Sequence, residues 1–394
     1  MKLSLGSVGR DVRLLTVAFL FIFLGYDGVQ QYVTTFFSDA GMVEIGFYSL
    51  ILVYLSFMLS GPVSAVIVSR YGARNCMITA SVFYSLFILS LLTKSAVLVY
   101  LASVLIGFSA ALLWTGQGSY LIRASREEFY GANAGFFNSL RILGSAIGVL
   151  SLGFLISFLP LDLPFLVFSV FPVIGLLIMF WLRDLRKEQK ASQFRLVRKS
   201  ITSVTALRLS LIFFSFMFVF GLVIGIIPLE IKRTLGVSYT GFLVSSFYAM
   251  PILFSYFFGR LSDIRGRKWM LVLSYIILLA GLALMYFSEH MLFLVSGILL
   301  LALNYSIMRT IGSALVGDVS TKDNLEFLAA LFWVFQNIGT TSALVLSIVF
   351  QTKMLFMVSL AIIAVSLAIV LPLFRLDLKE IRLRISREVS LFPA

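Results

Sequence analysis

The sequence predicts an all-α membrane protein of twelve transmembrane helices, arranged as two six-helix pseudo-repeats. Three observations predict it. Hydrophobic residues make up 60% of the chain and charged residues 12%, about half the charge of a typical soluble chain. Apolar runs of about 18 or more residues recur from end to end, each long enough to cross a bilayer as a helix. A ten-residue loop sequence, Gly259 to Lys268 (GRLSDIRGRK), has a faded copy 194 residues upstream, Ala65 to Arg74 (AVIVSRYGAR). Gly72 falls opposite Gly266, Arg74 opposite Lys268 and Ser69 opposite Asp263, which marks an internal duplication.

The first span runs over about Leu14–Phe36, behind Lys2, Arg10 and Arg13. That start resembles a signal peptide, but no small-residue cleavage site follows and the apolar run is too long for a signal core. It reads as a retained helix, interrupted by Tyr26, Asp27, Gln30 and Gln31. The second span covers about Gly46–Ser69, where Gly61-Pro62 predicts a kink. Cys76–Leu92, Val97–Ile122, Gly131–Phe158 and Leu163–Leu182 complete the first half. A polar stretch follows in which Arg183, Arg186, Lys187, Lys190, Arg195, Arg198, Lys199 and Arg208 break the pattern. The expected organisation is an N-terminal half over 1–184, a basic linker over 185–204 and a C-terminal half with its tail over 205–394. Spans seven to twelve fall at about Leu209–Leu229, Val237–Leu261, Trp269–Phe287, Met291–Gly317, Leu325–Phe350 and Met354–Phe374. In the tail, Leu378, Ile381, Ile385 and Val389 recur at helical spacing among Lys379, Arg382, Arg384 and Arg387. Two readings stand: an amphipathic helix on the membrane surface, or a solvated charged tail.

The net charge of +13 does not point to nucleic acid, because the cations sit in short loops between spans. All but five of the 31 lysines and arginines fall at the termini or in even-numbered loops, counting Arg309 with the loop it precedes. The exceptions are Lys94, Lys232, Arg233 and Lys353 in odd-numbered loops and Arg141 within a span. This asymmetry predicts both termini in the cytoplasm. The single cysteine, Cys76, rules out an intrachain disulfide.

The repeat extends beyond the loop motif. Gly118 meets Gly312 at the same offset, and Arg141 and Gly144 meet Gln336 and Gly339 at an offset of 195. Two six-span halves, a central basic loop and the Gly259–Lys268 motif resemble the major facilitator superfamily over nearly the whole chain. Gly46-Phe-Tyr-Ser-Leu, Tyr54-Leu-Ser-Phe, Ala111-Leu-Leu-Trp-Thr-Gly-Gln-Gly-Ser-Tyr120 and Phe332-Trp333 with Gln336 and Gly339 resemble its Unc-ninety-three-like branch. The superfamily resemblance implies a cytoplasmic gate at Asp263, Gly266, Arg267 and Lys268, with Arg70 and Arg74 in the first copy. There the acid caps a helix start and the basic residues pair nearby. Ser69 lacks the charge of Asp263, so the two latches should be unequal. The alternative is a positive loop that only sets orientation. The branch includes animal members known as ion-channel regulators or trafficking partners.

Asp27 and Arg141 are the sharpest pair of candidates. An ionisable side chain within a span costs at least about 2.5–3.5 kcal/mol on insertion scales, so it faces a cavity or a partner. Asp27 lies roughly 21 Å beyond Arg13, and Arg141 roughly 20 Å beyond Glu128, at the helical rise. Both start from one side, so they reach similar depth, and the superfamily resemblance implies that spans one and five are neighbours in one half. The expectation is a buried ion pair lining a central cavity, open to a solute or a proton; the alternative is a pair that only fixes packing. Arg309, roughly 14 Å before Asp318, either meets an anionic solute or snorkels to the interface. Gln30, Gln31, Trp114, Gln117, Asn304, Tyr305 and Gln336 complete the candidate substrate or proton site, against the reading that such residues are interhelical glue. Glu230, at the outer end of span seven, is expected to be solvated.

Absences narrow the function. The drug exporters of the superfamily carry Arg-x-x-Gln-Gly in span four, where this chain has Trp114 followed by Gln117-Gly118, and their span-five Gly-Pro pair is missing. No Gly-x-x-x-x-Gly-Lys supports an ATP-driven pump. His290 is the only histidine and falls in an outer loop, so no metal site, no cofactor and no enzyme chemistry are expected. Two function classes remain: a secondary or facilitative transporter of a small solute by alternating access, or a membrane regulator without flux. Two bases against one acid within the spans lean toward an anionic or zwitterionic solute, with protons as a further partner. A monomer in the cell membrane is expected, and compact loops with no targeting extension fit a microbial plasma membrane.

Overall fold

The computed structural model describes residues 9–125, 130–185, 203–319 and 325–390. Most of the expected basic linker (186–202) and Glu128 lie outside the described residues. All described elements are helical. In the first half these are α1 (Arg10–Gln30), α2 (Val33–Asp39), α3 (Val43–Tyr71), α4 (Ala73–Leu92), α5 (Ala96–Ala124), α6 (Tyr130–Leu155), α7 (Asp162–Phe168) and α8 (Val170–Met179). The second half holds α9 (Val204–Ile224), α10 (Ile227–Leu235), α11 (Ser238–Arg265), α12 (Arg267–Met285), α13 (Met291–Val319), α14 (Leu325–Val349) and α15 (Thr352–Val370). A 3₁₀ turn over Leu371–Arg375 and α16 (Leu378–Ser390) follow. Eleven of the described helices are long and apolar enough to cross a membrane. The twelfth span is α11, whose apolar stretch Ser238–Phe254 is shorter than the rest.

The duplication shows in where helices start and break. α2 and α10 begin 194 residues apart, and α5 and α13 begin 195 apart. Each half opens with a long helix that breaks and resumes as a short one: α1 into α2 around Gln31–Tyr32, and α9 into α10 around Gly225–Ile226. At the loop motifs a single glycine joins two long helices. Gly72 and Gly266 have φ of 87° and 90°, a region that a side chain disfavours, which explains why both copies keep glycine there.

By contacts, the chain divides into two compact units. One contains 1–191 together with 237–248, the other 192–236 and 249–394. The first turns of α11 therefore belong with the first unit. Within it, α1 and α6 approach so closely that a Cβ on Gly144 would lie 2.5 Å from the Leu20 carbonyl oxygen, and one on Gly148 2.1 Å from that of Leu24. The second unit repeats the contact between α9 and α14, where a Cβ on Gly339 would lie 2.3 Å from the Phe214 carbonyl oxygen. Lipid offers no hydrophobic drive for helices to associate, so small residues that let backbones touch carry much of this packing.

α3 is helical without interruption through Gly61-Pro62. The sixth span is divided at Ser169. Pro172 has no N–H to give the Phe168 carbonyl, four residues back, and Gly25 of α1 packs into that break. The tail forms the amphipathic helix α16, and its apolar face is covered by protein, so it is not a solvated tail. Its Ile381 and Ile385 are buried against the second unit, and Glu388 accepts hydrogen bonds from Ser203 Oγ (2.6 Å), Thr205 Oγ1 (2.7 Å) and Thr205 N (3.0 Å) at the start of α9. Partial burial pushes the Glu388 carboxyl up, but these hydrogen bonds outweigh it and hold the group below the usual carboxylate range.

The close approaches predict a graded response to one methyl group. Gly144→Ala and Gly339→Ala should each lower the melting temperature of the detergent-purified protein, in keeping with an overpacking cost of about 1–3 kcal/mol. Gly61→Ala and Gly118→Ala, where a Cβ meets nothing within 4 Å, should leave it unchanged. Equal effects in the two sets, read by thermal size-exclusion assay, would contradict this packing.

Candidate functional site

Within the first unit, the α1–α6 approach brings three polar side chains together in an apolar surrounding. Asp27 of α1 is 7% exposed and Arg141 of α6 is 6% exposed. Ser145 lies one turn beyond Arg141 on the same face of α6, and its hydroxyl donates to Asp27 Oδ2 at 2.6 Å. That length fits a hydrogen bond to an ionised carboxylate. The Arg141 Nη1 stands 3.9 Å from the same oxygen, close enough for ionic attraction and too far for a direct hydrogen bond. Gly144 and Gly148, which flank Ser145 on α6, are what allow the two helices this near.

Aromatic rings surround the cation. The Arg141 guanidinium sits 5.3 Å from the Phe23 ring and 5.5 Å from that of Trp114, within cation–π range. Tyr26 packs on Tyr84 at 4.9 Å, and Tyr84 reaches Phe23 at 5.9 Å. Further along, Gln30 donates to Tyr54 Oη at 2.8 Å and Gln31 to Tyr248 Oη at 2.9 Å. Gln117 is buried, and Thr115 beside it bonds Ser64 Oγ at 2.9 Å. The energetics are informative. At an effective dielectric near 20, attraction at about 4 Å is of order 4 kcal/mol, while desolvation costs several kcal/mol per ion. Stability alone therefore does not explain the pair.

The second repeat does not copy this chemistry. Gly221 stands where Asp27 does, Gln336 where Arg141 does and Thr340 where Ser145 does. A Cβ on Gly221 would lie 2.5 Å from the Thr340 carbonyl oxygen, so backbone contact fills the place of the ion pair. Gln336 is half-buried. Asn304 points into its own bundle, where its Nδ2 donates to Ser274 O and Oγ at 2.9 and 2.8 Å. Arg309 is half-buried and donates to Tyr305 Oη at 3.2 Å, its guanidinium 5.9 Å from the Tyr305 ring. Buried Tyr305 in turn packs on Phe216 at 4.9 Å.

The loop motif makes its contacts within each unit. In the second, Arg267 Nε reaches Asp318 Oδ2 at 3.2 Å and its Nη1 donates to Ser262 Oγ. Lys268 reaches Asp377 at 3.5 Å, an aspartate 93% exposed and so of small energetic weight. In the first, Arg74 Nη2 donates to the Phe180 carbonyl at 2.7 Å, and exposed Arg70 lies over the Tyr71 ring. The Asp263 and Ser69 side chains lie outside the described residues. At the corresponding positions, Lys268 meets a carboxylate and Arg74 a backbone carbonyl.

Glu230 is corrected: it is 3% exposed, not solvated. It accepts from Thr352 Oγ1 (2.8 Å) and Ser288 Oγ (3.2 Å) and pairs with Arg233 (3.3 Å), tying α10 to the ends of two other elements. Exposed His290 only approaches the Phe293 ring. Sequence reasoning missed Ser145, Tyr84 and Tyr54 around the pair and Asp318 at the loop. Ser145 carried a usable signal, since it is four residues from Arg141 and hence on its face. Among the described residues no group of three or more His, Cys, Asp or Glu side chains has metal-binding geometry.

These features define a multi-pass helical membrane protein built from a duplicated six-span unit, with charge buried in the first copy. The Major Facilitator Superfamily model matches residues 209–393, and that of the Ion channel regulatory protein UNC-93 family matches residues 42–234. The chain is thus similar to the Major Facilitator Superfamily over most of its second half and to the UNC-93 family over most of its first. UNC93-like protein 3 of Arabidopsis thaliana is 34% identical over 119 residues, 30% of this chain and 25% of that protein. UNC93-like protein MFSD11 of Xenopus tropicalis is 30% identical over 133 residues, 33% of this chain and 30% of that protein. Protein unc-93 homolog A of Bos taurus is 31% identical over 113 residues, 28% of this chain and 24% of that protein. The matched stretches thus span about a quarter to a third of these relatives' length.

If the buried groups act as one unit, Asp27→Asn and Arg141→Gln should each lower the melting temperature, and the double variant should recover part of the loss. The expected coupling energy is about 0.5–3 kcal/mol, read from a double-mutant thermal cycle. Strictly additive losses would show that the two charges do not interact.

Proposed function

We propose that the protein is a secondary or facilitative transporter that moves a small solute by alternating access. The observation that carries this reading is the Asp27–Ser145–Arg141 cluster. A structural scaffold has little use for two desolvated charges within its spans, because well-packed apolar residues serve packing as well or better. The loose 3.9 Å separation suits a pair that exchanges partners, with a solute or proton competing for either charge. The absence of the same cluster from the second repeat, where Gly221 and Thr340 touch, supports a role beyond holding the fold, since the duplicated backbone packs without it. In this reading the protein resides in the cell membrane as a monomer with both termini in the cytoplasm, in keeping with the basic-loop asymmetry. The Arg267–Asp318 contact belongs to a latch on that side.

A second reading has its own support. The UNC-93 model, described as an ion channel regulatory protein, covers residues 42–234, a stretch that includes Arg141 and Ser145. Here the chain is a regulator or assembly partner of another membrane protein and carries no flux.

A ligand panel separates the two. Detergent-purified protein is heated with organic anions, amino acids, sugars, nucleosides and lipophilic cations at two pH values, and each stabilising compound is repeated on Asp27→Asn and Arg141→Gln. Transport predicts at least one stabiliser whose effect disappears in either variant. Silence across the panel with stable, monodisperse protein favours the regulator.

A further inference from the structure

We infer that the second unit carries a binding site for a flat aromatic monoanion, such as an aryl carboxylate, built on Arg309 with Tyr305 and Phe220. The inference rests on the transporter reading only for its purpose; the site itself stands on the geometry of this unit.

Arg309 lies within α13, nine residues before Asp318, or roughly 14 Å along the helix. Among the described residues it has no carboxylate within ion-pair distance, and its one hydrogen bond is from Nη1 to Tyr305 Oη. In this it differs from Arg141, which has Asp27 beside it. A guanidinium stays charged at any relevant pH and offers five N–H donors in a planar fork. One is used here, so a carboxylate can be met in bidentate fashion by the others. An anion at this point also offsets the cost of a lone cation within a span.

Snorkelling does not account for the side chain. An arginine that snorkels extends toward its own end of the span, which for Arg309 is the Asp318 end. Its hydrogen bond runs the other way, to Tyr305 one turn deeper. The Tyr305 hydroxyl thus holds the guanidinium inside the span and acts as a positioning group.

The neighbouring rings set the shape of the ligand. Phe220 lies 6.0 Å from Tyr305 with the planes 24° apart, and Phe216 lies 4.9 Å away at 31°. Tyr305 and Phe216 are buried, while Phe220 and Arg309 keep exposed edges. Tyr305 thus links a partly exposed aromatic ring to a partly exposed forked cation. A molecule with a carboxylate on or next to an aromatic ring system matches both, a small aliphatic acid matches only the cation, and an aromatic amine is repelled.

The test uses the full chain purified in detergent and four probes measured by titration calorimetry: 1-naphthoate, acetate, 1-naphthylmethylammonium and 1-naphthalenemethanol. The expected result is saturable binding of 1-naphthoate and at least tenfold weaker binding of the other three. Arg309→Gln should weaken 1-naphthoate at least tenfold, Arg309→Lys less than that and Tyr305→Phe by a few fold. Arg309→Lys keeps the charge and serves if the glutamine variant does not fold. No binding of 1-naphthoate, equal binding of the ammonium probe, or unchanged affinity in folded Arg309 variants would overturn the site. Binding of 1-naphthoate without its flux in proteoliposomes would count against the transporter reading and leave the site standing. Flux of another solute that is indifferent to Arg309→Gln would do the reverse.

Discussion

Placing two opposite charges inside a bundle of apolar helices demands that their helices run almost backbone to backbone. Asp27 and Arg141 meet that demand through Gly144 and Gly148, which let α6 touch the carbonyls of Leu20 and Leu24. Only at that spacing can a side chain as short as serine bridge the helices, and Ser145 does so at 2.6 Å. The aromatic lining of Phe23 and Trp114 then keeps the guanidinium in a largely apolar wall. The charged cluster and the helix contact are thus one feature: glycine supplies the approach, serine fixes the carboxylate, and the rings hold the cation.

Duplication supplied the same backbone twice, and the two copies have spent it on different chemistry. Breaks, loop glycines and the glycine–carbonyl approaches recur at offsets of 194 or 195 residues. The side chains over that backbone do not. The first copy holds a compensated pair, while the second closes the same place with Gly221 against Thr340 and carries its cation elsewhere, on Arg309. At the matching loop positions Lys268 lies near a carboxylate and Arg74 on a backbone carbonyl.

Much of the fold was legible in the sequence, because membrane spans are dictated by local apolar length. The proximity of Asp27 and Arg141 was legible because both depths can be counted along helices from loops on one side and the superfamily resemblance implies that their spans are neighbours. Ser145 was harder, since a serine among small residues reads equally well as helix packing. Glu230 was misread because its burial depends on Thr352 and Ser288, more than fifty residues away. The docking of the tail helix was not legible for the same reason, as it is set by Ser203 and Thr205 at the start of α9. Local pattern reports what a helix is; long-range partners decide what each polar side chain on it touches.

The central claim, that the buried pair serves solute movement, is tested most directly by counterflow in proteoliposomes. Vesicles are loaded with an unlabelled solute taken from the stabilising compounds, and entry of the labelled form is followed. Counterflow needs alternating access but no gradient and no coupling ion. The account predicts a transient overshoot of label in the wild-type protein and its loss in Arg141→Gln reconstituted to the same level. A bound solute that gives no overshoot, or an overshoot unchanged in Arg141→Gln, would contradict it.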